Sequence, residues 1–468
     1  MADERLALMA HLLRRAGFGA TRDELEAYAA RPYEEVVEEL INPERMPDLD
    51  EDVLARYYTH LGANIDNPQS WNGRWIWRMV NTKRPLEEKM ALFWHHVFAT
   101  GWTKSEHTPT MVRHIEMLRR NGLANFRKLL IDLSRDPAMI YWLDNNENHA
   151  QSINENYGRE ILELFSMGIG NYTETDIKEC ARAFTGWTFE HAIPLYPYGH
   201  YDSRFVYRAD DHDDGVKTFL GETGNFNGED IVDIIARQEA TARFISRHLY
   251  NFFVADEQQV PAWSVTDPVD PEAIKTLMQA FKDSDADIRS VMRVLFNSDF
   301  FKNARFTRVK APIELVAGVI KLAGTHREVE PGLTAFDAAT RVMGQTLMDP
   351  PTVEGWHTGK EWIDGGTLTE RINFAVGQLS DVSKPGPRAL VQRMEAFGRP
   401  VRPEEAVDSI LDYVGPLQAQ PETRSALVDL ASQGGELRFG TEEEREQSVE
   451  RIGRLLRLTV ASREYQFA

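Results

Sequence analysis

Cysteine is nearly missing from this chain: Cys180 is the single one in 468 residues. A lone thiol excludes an intramolecular disulfide framework and a cysteine-rich zinc site. Cationic excess is missing too. Lysine and arginine number 53 against 73 aspartate and glutamate residues, a formal net charge of −20. Nothing broadly neutralises phosphate, which argues against a nucleic-acid partner and against docking on anionic membranes. No apolar run approaches the roughly 18 residues that a membrane span needs. The Arg14–Arg15 pair is followed by mixed, acidic sequence from Ala16 to Ala29 rather than a hydrophobic stretch. Export is therefore unsupported, and a cytoplasmic location is the default expectation. The usual catalytic signatures are absent as well: no His-Glu-x-x-His, no Glu-x-x-His on two helices and no Gly-x-Ser-x-Gly elbow. Gly355, Gly359, Gly365 and Gly366 lack the spacing of a phosphate cradle.

What is present reads as helix after helix. Hydrophobic residues make up 42% and aromatics 10% of the chain, enough for a substantial core. The length allows about three domain-sized units, or one large helical domain with appendages. Thr21-Arg-Asp-Glu24 is a capping-box start, and Pro32 to Ile41 follows as an amphipathic segment. Pro85 opens a helix whose Met90, Phe93, Trp94 and Val97 share a packed face. Residues 111–134 supply two more helices, and 154–167 another, stopped by Gly168 and Gly170. Thr173 caps the next one, where Cys180 lies with Ile177, Ala181 and Phe184 on an apolar face and reads as core.

Residues 188–226 interrupt the helices. Pro194, Pro197, Gly199, Gly215, Gly221 and Gly224 punctuate a tyrosine-rich stretch, and Arg204-Phe-Val-Tyr-Arg-Ala209 alternates like a short strand. A hairpin or long ordered loop is expected there. Helices resume over 228–254 and 271–324, with a second structured loop over 349–362. Ser383-Lys-Pro-Gly-Pro387 reads as a linker. The expected fold is mainly α: a large multi-helix domain over 1–384 with the irregular or hairpin insertion near 188–226, and a helical C-terminal extension over 385–468.

The segment from Asn154 to Phe165 carries the chemistry. On a helix, Asn156, Arg159, Glu160 and Glu163 fall on one side, at i, i+3, i+4 and i+7. Tyr157, Ile161, Leu164 and Phe165 fall on another. If the polar stripe points inward, Arg159 and the carboxylates must satisfy one another or a ligand. One reading is a network that fixes helix packing, with Glu155–Arg159 or Arg159–Glu163 as i, i+4 pairs. The other is an acid–base site, since a desolvated carboxyl has a raised pKa and one beside Arg159 stays ionised. An open cleft beside the stripe would favour the second reading, and burial without a cavity the first.

Other candidates lie in loops. His212 and Asp213 could join Glu160 and Glu163 as mixed nitrogen and oxygen ligands of a divalent metal, without a recognisable ligand spacing. Lys217 could counter a substrate anion. Trp187, Trp356 and Trp362 stand off the helical faces, where tryptophans stack on sugar rings and other flat ligands or plug helix ends into a core. His95 and His96, about 100° apart on a helix, are poorly placed to share one metal. They read as core histidines satisfied by backbone carbonyls.

Long stretches resemble a known family. These are His11-Leu-Leu-Arg-Arg-Ala-Gly-Phe-Gly19, Phe93-Trp-His-His-Val-Phe-Ala-Thr100, Asn154 to Phe165, and Ala183-Phe-Thr-Gly-Trp187. His212-Asp-Asp-Gly-Val-Lys-Thr-Phe-Leu-Gly221, Thr241 to Ile245, Pro350-Pro-Thr-Val-Glu-Gly-Trp356 and Ala461 to Gln466 extend the match over nearly the whole chain. The chain is similar to the bacterial family called domain of unknown function 1800. The resemblance implies a mostly helical fold, members that are often exported, and genes that neighbour a second, sulfatase-like family. Relatives often read Trp-His-x-His where this chain has His95-His96-Val97, which weakens any site needing histidines two residues apart.

Two functional classes follow. One is a hydrolase-like enzyme acting on a small molecule or glycan-like ligand. In it Glu160 or Glu163 is the general acid or base, and Arg159 holds the partner carboxylate or an anionic group. His212 and Asp213 complete the catalytic set, while Asn156, Trp187, Lys217 and Trp356 bind the ligand. The other is a non-catalytic binding or assembly partner of a sulfatase-like protein, with a structural polar stripe.

Overall fold

Prolines and short polar side chains decide where the helices start. A computed structural model describes residues 2–57, 67–190 and 203–468. Thr21 and Thr173 each close a capping box, accepting from the amides of Glu24 and Asp176. Proline occupies the first turn of the helices Pro68–Asn81, Pro85–Val97, Pro271–Asp283 and Pro312–Ala323. It does so again in Pro385–Glu395, Pro403–Tyr413 and Pro421–Ser432. A missing N–H costs nothing at that position, where it would have no partner within the helix. The fold is mainly α, with two small antiparallel two-stranded sheets among the described residues.

The helix Pro85–Val97 is buried almost throughout and serves two hydrophobic clusters. Met90, Phe93, Trp94 and Val97 face one, with Phe126, Ile161, Phe165 and Ile245. Ala91 and Leu92 face the other, with Trp75, Ile76, Val316 and Ile320. Each large side chain withdrawn from water contributes about 1.5–3 kcal/mol. The helices beyond residue 385 pack on this second cluster through Leu390, Ile410 and Leu456. Two charges are carried into the interior and paired there. Glu88 accepts from Arg78 Nε at 2.7 Å and Trp75 Nε1 at 2.9 Å, and Lys89 Nζ donates to Glu314 at 2.6 Å. Such pairs are costly to break, because the surviving partner is left buried and uncompensated.

The interruption after residue 187 contains both sheets. Strand β1 (Trp187–Glu190) pairs with β2 (Arg204–Tyr207), Trp187 opposite Tyr207 and Glu190 opposite Arg204. Strand β3 (Lys217–Phe219) pairs with β4 (Glu222–Gly224). Pro194, Pro197 and Gly199 lie outside the described residues. No described helix is long and apolar enough to cross a membrane.

Candidate active site

The polar-striped helix spans Asn156–Glu163, four residues short of the expected end. Beyond Glu163 the bonding widens to five-residue spacing: the amides of Phe165 and Met167 donate to the carbonyls of Glu160 and Leu162. Gly168 and Gly170, both at positive φ, then reverse the chain. The helix is pressed against Glu174–Ala183 at Gly158, where a Cβ would come within 3.0 Å of the Ile177 carbonyl and the Ala181 amide. Tyr157, Ile161 and Leu162 are buried, and the Tyr157 hydroxyl donates to Ser134 Oγ at 2.6 Å. That contact fixes which face remains outward.

Arg159 faces solvent rather than the interior. Its guanidinium holds Glu174 in a two-point contact at 3.1 and 2.8 Å, with Glu155 3.8 Å away. It does not bridge Glu163. Asn156 Nδ2 reaches Asp144 at 3.4 Å. Whether the stripe points inward, left open by the sequence, is answered for Arg159 by a surface pair, because Gly158 and Ile161 claim the buried face.

Glu160 and Glu163 are half-buried beside one another, and Glu354 adds a third carboxylate. Burial, then the charge of Glu163, pushes the Glu160 carboxyl up to about 7, against the opposing pull of Arg159. Glu163 accepts the Tyr172 hydroxyl at 3.0 Å. Burial and that carboxylate push the Tyr172 phenol up. Glu87 shares a carboxyl raised to about 7, but it lies among Glu88, Arg84 and Asp48. What distinguishes the Glu160 pair is a cleft of about 300 Å³ walled by Glu163, Glu354, Arg243, Phe244 and Trp263, with the Gly168–Asn171 turn at its edge. Trp263 is held by its indole N–H on the Gln258 carbonyl at 2.7 Å and by Arg247, 4.7 Å above its ring. Arg247 is itself buried and paired with Glu257 at 2.8 Å.

The loop candidates are placed elsewhere and have their own partners. His212 Nδ1 lies 2.9 Å from the Thr185 carbonyl, and the Asp213 amide donates to Thr185 Oγ1 at 2.8 Å. Asp213 pairs with Arg182 at 2.7 Å. Lys217 is buried and donates to the carbonyls of Asp213 and Gly215. These groups brace the turn after Glu174–Ala183, and none of them lines the cleft. Trp187 is buried against Phe184 and Phe205 with its N–H on Asn227 at 2.8 Å. Trp356 is buried with its N–H on the Thr346 carbonyl at 3.0 Å. Both plug the core, as does Trp362.

His96 does not meet a backbone carbonyl, contrary to expectation; its Nδ1 accepts the Trp356 amide at 3.1 Å. Neither ring nitrogen of the buried His95 has a protein partner among the described residues. Its ring packs edge-on against His114 and Trp356. Among the described residues, no group of three or more His, Cys, Asp or Glu side chains is arranged to hold a metal ion.

Sequence reasoning passed over Tyr172, Arg243, Trp263 and Glu354. Arg243 and Glu354 carried a local signal, inside the Thr241–Ile245 and Pro350–Trp356 motifs. A family model described as "Protein of unknown function (DUF1800)" matches residues 11–467. No curated protein and no solved structure matches the chain.

Proposed function

The chain belongs to the DUF1800 family, and we propose that it is a hydrolase-like enzyme working in the cleft beside Glu163. One observation carries this reading: Glu163 and Glu354 line a cleft, and Glu160, beside Glu163, stays protonated up to about pH 7. Glu160 supplies the proton to the leaving group, and Glu163 withdraws one from the attacking water. Tyr172 orients Glu163 through its hydroxyl. Trp263 and Phe244 give the cleft an apolar part of its wall. That combination suits a polar, ring-bearing substrate such as a glycan-like ligand. Arg159 modulates Glu160 from the surface, while His212, Asp213 and Lys217 support the neighbouring turn.

The test is hydrolysis of a panel of chromogenic glycosides, esters and sulfate esters by the wild-type chain and by Glu163→Gln and Glu160→Gln. Turnover by the wild type, abolished in both variants while their circular dichroism is unchanged, supports the assignment. Full turnover in a well-folded Glu163→Gln sinks it. The alternative, a binding partner of a sulfatase-like protein with a structural stripe, needs the stripe buried without an adjoining cavity. The cleft beside Glu163 favours the enzyme.

A further inference from the structure

Four cations converge where the first helix meets the C-terminal part of the chain, and their bonds go to neutral acceptors. Arg14 and Arg15 end the helix Ala2–Arg15. Lys310 precedes Pro312–Ala323, and Arg371 lies in Gly365–Leu379. Arg14 Nη1 donates to the Gly415 carbonyl at 2.7 Å, and Arg15 Nη2 to the Val254 carbonyl at 3.0 Å. Lys310 Nζ donates to the Tyr465 carbonyl at 2.6 Å. Arg371 donates to the Lys310 carbonyl and to Gln466 Oε1, both at 2.8 Å. The nearby carboxylate, Glu314, is already engaged by Lys89 at 2.6 Å, Arg308 at 2.7 Å and the Ala311 amide at 2.8 Å.

Donors are left over. Nε of Arg14, Nε and Nη1 of Arg15 and Nη1 of Arg371 are buried without a protein acceptor among the described residues. Arg15 and Arg371 are 1% and 0% exposed. Arginine does not shed its proton in a protein, so these charges persist. Buried charge without a partner is strongly unfavourable. Burial and the guanidinium groups of Arg14 and Arg371 also hold the Lys310 amine well below its ordinary range.

A pocket of about 50 Å³ opens beside them, with Arg14, Lys310 and the already engaged carboxylate of Glu314 on its wall; Arg15 and Arg371 do not line it. Phe18, Leu25, Leu315, Val319 and Val414 make the rest of that wall largely apolar. It shares no residue with the cleft at Glu163. We propose that this pocket binds a small monocarboxylate with a short aliphatic tail, the carboxylate on Arg14 and Lys310 and the tail on Phe18, Leu25 and Val319. The volume suits a few heavy atoms. The apolar wall would leave a phosphate dianion's remaining oxygens without donors, whereas it welcomes methylene groups.

Calorimetric titration of the full chain with sodium butyrate tests this, with butan-1-ol and sodium phosphate as comparison ligands. Saturable one-site binding of butyrate is expected at millimolar concentration, with no response to butan-1-ol. Lys310→Met is expected to weaken butyrate by roughly tenfold or more, as truncation of a charged contact does. It is also expected to raise the melting temperature of the butyrate-free protein, since a buried amine crowded by Arg14 and Arg371 is replaced by an apolar chain of similar length. If Lys310→Met does not fold, Val319→Phe serves instead: it fills the apolar side, leaves every cation in place and is expected to abolish butyrate binding. Absence of butyrate binding to the wild type overturns the proposal. So does phosphate binding in place of butyrate, or unchanged affinity in a folded variant.

Discussion

The amide of Trp356 donates to Nδ1 of His96 across 3.1 Å, and the two rings lie nearly parallel, 4° apart. This bond joins a buried helix to a loop more than two hundred residues later, and the loop carries Glu354 to the cleft. Gly355 makes the approach feasible. Its φ is +95°, and a Cβ there would come within 2.3 Å of the His96 carbonyl oxygen. Gly355→Ala is therefore expected to destabilise the fold by on the order of 2–4 kcal/mol, from backbone strain and the clash together. Urea unfolding measures this, and a loss below about 0.5 kcal/mol, the size of an ordinary surface change, contradicts the packing described.

Glu160 gives a pH dependence with a definite sign. Its carboxyl is raised to about 7 in the fold, above the unfolded value near 4.3. The native state therefore keeps a proton that the unfolded chain releases, and stability falls as pH rises from about 4.3 through 7. Glu160→Gln should remove that fall, gaining on the order of 1 kcal/mol at pH 8 relative to pH 5 once solvent screening is allowed for. If Glu160 is the general acid, turnover by the wild type should decline on the alkaline side of about pH 7. A profile flat from pH 6 to 9 would remove Glu160 from that role.

The buried histidines give the opposite sign. Burial holds His11 down to about 2 and His96 to about 4, and places His95 and His248 well below their ordinary value. Unfolded histidines take up protons near 6.5 while these do not, so stability falls as pH drops below that point. By pH 5.5 the cost should be on the order of 1 kcal/mol per histidine. Denaturant midpoints at pH 7.0 and 5.5 check it; equal midpoints would contradict neutral burial of the set.

Arg159→Ala separates the two readings of the polar stripe. An arginine in a buried network would cost several kcal/mol to remove. The Arg159–Glu174 pair is exposed, so a loss under about 1 kcal/mol is expected in thermal unfolding. A loss of 3 kcal/mol or more, the size typical of a broken buried pair, would restore the structural reading.

Helix starts were legible because their determinants are local. Thr21, Pro85 and Thr173 act on amides within three or four residues of themselves. The mainly α fold and the strand at Arg204–Tyr207 were legible for the same reason. The orientation of the stripe was not, because the face turned inward is chosen by the contact of Gly158 with Ala181, which periodicity does not encode. Trp187 and Trp356 sit in loops by sequence, yet rings from Phe184 and His96 draw them into the core. The cleft was the least legible feature. Glu163, Arg243, Trp263 and Glu354 come from separate segments, and no spacing rule links them.

The bond from Arg14 to the Gly415 carbonyl spans 401 positions. At ribosomal rates of about 5–20 residues per second, roughly 20–80 s separate synthesis of the donor from synthesis of its acceptor. Through that interval the apolar face of the first helix, with Leu6, Met9 and Leu13, waits for late partners such as Phe301 on the helix Asp299–Lys302. Slowing of translation beyond residue 15 therefore prolongs the exposure of that face rather than relieving it.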